Sequence, residues 1–271
     1  MELFWKAALQ GIVQGVTEFL PISSTGHLIL MDQFLHLGEG GFSKMFNVVI
    51  QFGSILAVIL YFHKKLIPAA LFSDEKVRHD TLDIWLKTAV GVVPILVIGF
   101  IVKKQVEDMQ ECPLIVAGAL LAGGLLLLKV EDWCKREKPL ETFRDLSYGR
   151  AVLIGLIQCL AMIPGTSRSA STIIGGLALG ASRPLAAEFS FFLAIPTMAA
   201  ASAYSLLKNG NSMTNSQWIA LATGFTVSFL VSWAVIAWLM NFIKSRDFKP
   251  FGWYRIALGI LVLAYVFLLK R

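Results

Sequence analysis

The chain has 271 residues and a formal net charge of +6, with 56% of its residues hydrophobic and only 15% charged. Soluble domains carry roughly 25% charged residues, so the composition excludes an ordinary water-soluble globule and makes lipid the main solvent. The positive charge is no nucleic-acid signature either, because most basic residues sit in loops between apolar runs.

The first element, residues 2–37, is apolar but interrupted. It carries Gln10, Gln14 and Glu18, and no small-residue cleavage site follows, so a cleavable signal is not expected. Within it runs Gln14-Gly-Val-Thr-Glu18-Phe-Leu-Pro21-Ile-Ser23-Ser24-Thr25-Gly26-His27. Gln14 and Glu18 are four apart and share a helix face, where they could hold one cation or one substrate together. Pro21 breaks that helix, and Ser23, Ser24 and Thr25 offer caps for the next. An ionised glutamate facing lipid costs at least about 2.5 to 3.5 kcal/mol, so Glu18 is expected to face a wet or protein-lined cavity. His27 adds a group that titrates near neutrality.

Apolar crossings of about 20 residues are expected at 46–62, 86–102 and 113–129. A second interrupted segment, 149–180, comes next, and crossings at 186–207, 217–243 and 253–269 complete the set. Strand alternation is absent, which argues against a β-barrel. Loops at 63–83, 129–150, the Arg183 turn and 244–255 collect 15 of the 24 Lys and Arg residues, and the opposite side collects seven. The positive-inside rule then makes the richer side cytoplasmic and both termini external. Trp5, Trp85, Trp133, Trp218 and Trp253 fall near span ends, as interfacial anchors do. Cys112, Cys134 and Cys159 lack ligand spacing and are read as apolar filler.

The second interrupted segment reads Pro164-Gly165-Thr166-Ser167-Arg168-Ser169-Ala170-Ser171-Thr172. Glycine admits close backbone approach, the following helix start favours an anion, and Arg168 supplies two-point recognition of phosphate oxygens. The two interrupted segments resemble each other. Gly11-Ile-Val-Gln14 matches Gly155-Leu-Ile-Gln158, and with a one-residue gap Pro21 and Ser24 fall opposite Pro164 and Ser167. If each segment enters and leaves on one face, each half has three crossings and the second half is inverted. The expected class is all-α: a polytopic single membrane domain, residues 1–271, with six transmembrane helices and two re-entrant helical hairpins. Its inverted-topology repeats are expected over about 1–130 and 149–271, joined by a charged cytoplasmic loop. Eight full crossings, with Pro21 and Pro164 as simple kinks, is the alternative.

Together the motifs offer an anion cradle around Arg168, a carboxylate suited to a divalent cation, and a nucleophile with a base nearby. Phosphoryl transfer needs such parts, since it rests on positioning and charge neutralisation. Glu18, with Gln14, could hold Mg2+ or Ca2+ through oxygen ligands. Ser24 or His27 could attack phosphorus with the other assisting. No Walker loop is present and nothing points to a nucleotide.

At these residues the chain resembles the undecaprenyl-pyrophosphate phosphatase family, bacterial membrane enzymes linked to bacitracin resistance. Glu18-Phe-Leu-Pro-Ile-Ser-Ser-Thr-Gly-His27 corresponds to that family's first motif and Pro164-Gly-Thr-Ser-Arg-Ser-Ala-Ser-Thr172 to its second, and the likeness extends over essentially the whole length. The resemblance implies hydrolysis of undecaprenyl pyrophosphate to the monophosphate carrier lipid and inorganic phosphate, with a divalent cation, at the outer face of the bacterial plasma (inner) membrane. It assigns catalysis to Glu18, Ser24, His27 and Arg168, with Glu18 also the metal ligand. Gln14, Ser23, Thr25, Gly165, Thr166, Ser167, Ser169 and Thr172 are expected to line the substrate. Gln14 stands where the family's pattern admits Glu or Gln, which removes one negative charge from the metal site. The expected partners are the polyprenyl pyrophosphate lipid and membrane lipids, not nucleic acid, with a homodimer left open. A transporter or flippase of a phosphorylated polyprenyl lipid is the other functional class.

Overall fold

The computed structural model describes residues 2–32, 35, 37, 41–110, 112–210 and 213–269. The side chain of Thr25 lies outside the described residues. In chain order the α-helices are α1 (Glu2–Thr17), α2 (Ser24–Asp32), α3 (Gly41–Tyr61), α4 (His63–Leu66), α5 (Glu75–Gln110) and α6 (Pro113–Trp133). They continue as α7 (Tyr148–Gln158), α8 (Arg168–Ala178), α9 (Arg183–Asn209), α10 (Asn215–Ser245) and α11 (Lys249–Leu269). No strand occurs among the described residues; Leu140 and Ala181 form a lone bridge.

Helices α3, α5, α6, α9, α10 and α11 are long and apolar enough to cross a bilayer, and they coincide with the six spans expected from hydropathy. Large apolar side chains on them stand out of the protein, including Phe100 (86% exposed) and Leu207 (82% exposed). Such exposure is unfavourable in water and neutral in lipid. Helices α1, α2, α7 and α8 have 16, 9, 11 and 11 residues, short of the roughly 20 a crossing requires. The chain at Pro21 and at Pro164 is therefore broken rather than kinked.

Two compact units emerge. The first comprises Met1–Phe19, Ser24–His63 and Ala194–Leu239. Its core joins α1, α3 and α10 through Ala7, Met45, Phe46, Val49, Ile50, Ala220 and Leu221. Serines tie these helices together, as interhelical hydrogen bonds do in lipid. Ser228 donates to the Ile50 carbonyl at 2.9 Å, so its 2.7 Å bond with Ser54 must be donated by Ser54. Ser232 donates to the Gly15 carbonyl at 3.2 Å.

The second unit comprises Leu20–Ser23, Lys64–Leu193 and Met240–Arg271. In it α6 packs along α11, α5 along α7, and α8 against both α6 and α7. Glu131 of α6 accepts from Arg183 and, at 2.8 Å, from the Phe248 amide, joining α6 to the starts of α9 and α11. Lys87, inside the apolar α5, bonds to Asp83 at 2.5 Å and to the Phe143 carbonyl at 2.8 Å, and the Phe143 ring stacks on Phe192. Each unit draws residues from both sequence halves.

Candidate active site

In the first motif the sequence stops one helix and starts another within six residues. Helix α1 ends at Thr17, the Glu18 amide still bonds to the Gln14 carbonyl at 3.0 Å, and Pro21, which has no N–H to donate, occupies the turn. The chain restarts as α2 through Ser23 at φ 74°. A non-glycine residue in that region costs about 1–3 kcal/mol and persists only where its surroundings hold it.

Across this turn Glu18 becomes the hub of the first unit's polar group. Its Oε2 accepts from Gln14 Nε2 at 2.7 Å and from Ser24 Oγ at 2.8 Å. Glu18 is 4% exposed, and Gln14 and Gln10, one and two turns earlier on the same face, are wholly buried. The Gln14–Glu18 pairing expected from the four-residue spacing is thus formed. Ser24 is joined to the carboxylate rather than left as an isolated hydroxyl. A hydroxyl bonded to a carboxylate has a proton acceptor in place, the arrangement that activates a serine nucleophile. His27 is half-buried, one turn beyond Ser24 on α2. Ser23 is buried and falls in the second unit.

The second motif repeats the device. Helix α7 ends at Gln158, a 310 turn over Cys159–Met162 follows, and the chain enters α8 through Ser167 at φ 73°. By backbone it is Ser23, not Ser24, that corresponds to Ser167, one residue away from the match drawn on sequence. Gly165 has φ +91°, and a Cβ there would lie 2.5 Å from the Val116 carbonyl oxygen, so only glycine fits. Ser167 Oγ caps α8 by accepting from the Ala170 amide at 3.2 Å.

Ser169 donates to the Leu20 carbonyl at 2.9 Å, a bond inside the second unit that ties the second motif to the first motif's turn. Thr172 Oγ1 lies 2.6 Å from Ser190 Oγ, and both are buried. The Ser169 and Thr172 hydroxyls therefore make their bonds within the protein. Thr166, Ser167 and Arg168 at the helix start are half-buried. Arg168 Nη1 donates to the Ser190 carbonyl at 2.9 Å, which anchors one arm of the guanidinium beside the helix N-terminus. A helix N-terminus with an arginine beside it favours an anion, through the positive end of the helix dipole and the guanidinium charge. Sequence reasoning missed Ser190, whose only signal was a serine in an otherwise apolar stretch of α9, and it missed Arg255.

Among the described residues no three His, Cys, Asp or Glu side chains gather as a metal set. The first motif nevertheless suits a hard cation. Gln14 must turn its NH2 toward the Glu18 carboxylate, and its Oε1 is then buried with no hydrogen-bond partner. An unsatisfied amide oxygen beside a carboxylate oxygen matches the all-oxygen preference of Mg2+ or Ca2+, with the other positions left to water and substrate oxygens.

The sequence model described as "Bacitracin resistance protein BacA" matches residues 7–261, a stretch that includes both motifs. The chain belongs to the BacA family. The chain is 50% identical to Undecaprenyl-diphosphatase 1 of Clostridioides difficile (strain 630) over 270 residues, 99% of this chain and 98% of that protein. It is 46% identical to the undecaprenyl-diphosphatase of Lacticaseibacillus paracasei over 268 residues, 97% of this chain and 98% of that protein. It is likewise 46% identical to that of Enterococcus faecalis over 262 residues, 95% of each chain. With six apolar spans, this BacA chain is a multi-pass membrane protein.

Proposed function

We propose that this chain is a lipid pyrophosphate phosphatase that hydrolyses undecaprenyl pyrophosphate to undecaprenyl phosphate and inorganic phosphate, returning the carrier lipid to cell-wall polymer synthesis. The observation that carries the reading is the 2.8 Å bond from Ser24 Oγ to the buried Glu18 carboxylate in a membrane protein. The family membership and the undecaprenyl-diphosphatase relatives support it along the whole chain.

In this reading Ser24 Oγ attacks the terminal phosphorus while Glu18 takes its proton. The bond from that phosphorus to the bridging oxygen breaks, and undecaprenyl phosphate leaves. Water then attacks the phosphoserine, with His27 assigned to take a water proton; the bond from phosphorus to Ser24 Oγ breaks, Glu18 returns its proton to that oxygen, and inorganic phosphate departs. Arg168, Ser167 and the α8 backbone are assigned to the charge on the phosphoryl oxygens, where fixed donors contribute most. Glu18 and Gln14 are the residues that would hold Mg2+ or Ca2+, which when bound neutralises phosphate charge. A transporter needs no hydroxyl paired with a buried carboxylate.

The excess of basic loop residues on one side supports an orientation with both termini and the site at the outer face of a bacterial plasma membrane. The short broken helices and their matching left-handed serines support two re-entrant hairpins in inverted repeats.

Phosphate release from undecaprenyl pyrophosphate by the purified protein in detergent tests the proposal, with Mg2+, with Ca2+ and with chelator, beside Arg168→Ala. Metal-dependent release abolished by the substitution is expected. No release from folded protein under any metal overturns it.

A further inference from the structure

Arg255 falls in the 244–255 stretch that reads as a basic loop, yet it is wholly buried in α11 and is the largest fully buried side chain among the described residues. Its partners are all backbone carbonyls. Nε donates to Leu120 at 3.3 Å, Nη2 to Ala119 at 2.9 Å and to Gly165 at 3.0 Å, and Nη1 to Pro21 at 3.3 Å. Two of these acceptors belong to α6. The other two are the turn carbonyls of the two motifs, and all five residues lie in the second unit. Pro21 precedes Ser23 by two residues and Gly165 precedes Ser167 by two, and these serines are the described non-glycine residues at positive φ.

We propose that Arg255 is a positioning residue for the phosphatase reaction: its guanidinium clamps the turns of both motifs to the α6 backbone and so fixes the starts of α2 and α8. The inference rests on the hydrolase reading and extends it to a residue outside both motifs. The buried charge is itself a poor source of stability, since taking an ion out of water costs several kcal/mol that its hydrogen bonds must offset. A planar fork with five donors does provide fixed direction, which neither lysine nor an apolar side chain reproduces. The surroundings are shaped for it. Gly123 lies one turn after Ala119, and a Cβ there would meet Arg255 Nη2 at 2.3 Å. Any larger residue at 123 must displace the guanidinium. Ser24 and Arg168 each follow a clamped turn directly, so a shift of the turns moves the nucleophile and the phosphate-binding arginine while leaving their own chemistry intact.

The test compares Arg255→Met, Arg255→Lys and Gly123→Ala with the wild type in detergent. The readings are kcat, KM, the unfolding temperature, and amide hydrogen exchange at residues 22–23 and 165–167. Misplacement by about 1 Å costs on the order of 100-fold in rate. The clamp therefore predicts a kcat loss of about that size for Arg255→Met and Gly123→Ala and a smaller loss for Arg255→Lys. KM should stay within about threefold, and Gly123→Ala and Arg255→Lys should unfold near the wild-type temperature. Exchange should rise at both turns together. Gly123→Ala keeps the charge and moves only its position, so it remains decisive if Arg255→Met fails to fold. Unchanged kcat in Gly123→Ala and Arg255→Lys, or exchange unchanged at either turn, overturns the proposal. A kcat loss that merely tracks a fall in unfolding temperature also overturns it. If the wild type releases no phosphate yet both turns loosen in the variants, the hydrolase reading fails while the clamp itself stands.

Discussion

Gln14→Glu tests how the first motif handles charge. Glu18 Oε2 now accepts from Gln14 Nε2 at 2.7 Å and from Ser24 Oγ at 2.8 Å. The substitution removes the first bond, worth about 1.5–3 kcal/mol because its acceptor is charged. It also sets a second carboxylate in the amide's place. At the present 2.7 Å separation two unit charges would repel by about 6 kcal/mol at an effective dielectric of about 20. A divalent ion removes the conflict and gains a second anionic ligand, and about 1.4 kcal/mol of added attraction is already tenfold in affinity. The assay is phosphate release titrated with Mg2+ and with Ca2+, alongside thermal unfolding in detergent with chelator. The half-saturating metal concentration is expected to fall at least about tenfold. Unfolding should come earlier in chelator and recover with metal. An unchanged titration together with unchanged unfolding in chelator would refute the idea that residues 14 and 18 share a cation.

Other substitutions probe the remaining parts. Ser24→Ala is expected to abolish turnover while leaving the unfolding temperature near wild type; substantial residual turnover would shift the attacking role to His27. Arg168→Lys removes the fork, and a loss of about 100- to 1000-fold in kcat is expected; full activity would show that a point charge suffices. Ser228→Ala deletes a donor to Ile50 and an acceptor for Ser54, and should lower stability by about 0.5–2 kcal/mol as read by denaturant titration, with kcat unchanged. In the 129–150 loop the Thr142 hydroxyl and amide bond to Asp145 at 2.8 and 3.0 Å and hold its carboxyl below the usual carboxylate range. A depressed folded pKa means that this cap's stabilisation is present above the ordinary value of about 3.9 and is lost as pH falls through the folded one. Amide exchange over 142–146, corrected for intrinsic rates, should accelerate only in that acidic range, and constant protection to low pH would refute the assignment.

The six crossings were legible because lipid imposes a length and an apolar character that hydropathy reads directly. Their ends were less so. The 86–102 span is the middle of a helix running from Glu75 to Gln110, since a helix keeps its own hydrogen bonds where polar residues carry it beyond lipid. The breaks at Pro21 and Pro164 were legible from proline's missing N–H. The register between the two broken segments was off by one, because positive φ leaves a signal in residue type only where the sequence uses glycine, and positions 23 and 167 are serines.

The same divide runs through the site. Gln14 and Glu18 are a helical turn apart, so spacing alone predicts their bond, and Ser24 reaches the same carboxylate across one short turn. Arg255 has acceptors at positions 21, 119, 120 and 165, which only the folded chain joins, and it sits just after Lys244, Arg246 and Lys249 in a stretch that reads as a basic loop. A buried arginine held by carboxylates would have shown opposite charges in the sequence. One held by backbone carbonyls shows nothing, because every residue has a carbonyl. The indirect trace was Gly123, and its meaning appears only once the guanidinium is seen to fill the space where a side chain would stand. In a membrane protein, where hydrogen bonds to backbone replace water, this kind of contact is the one that sequence patterns are least able to reveal.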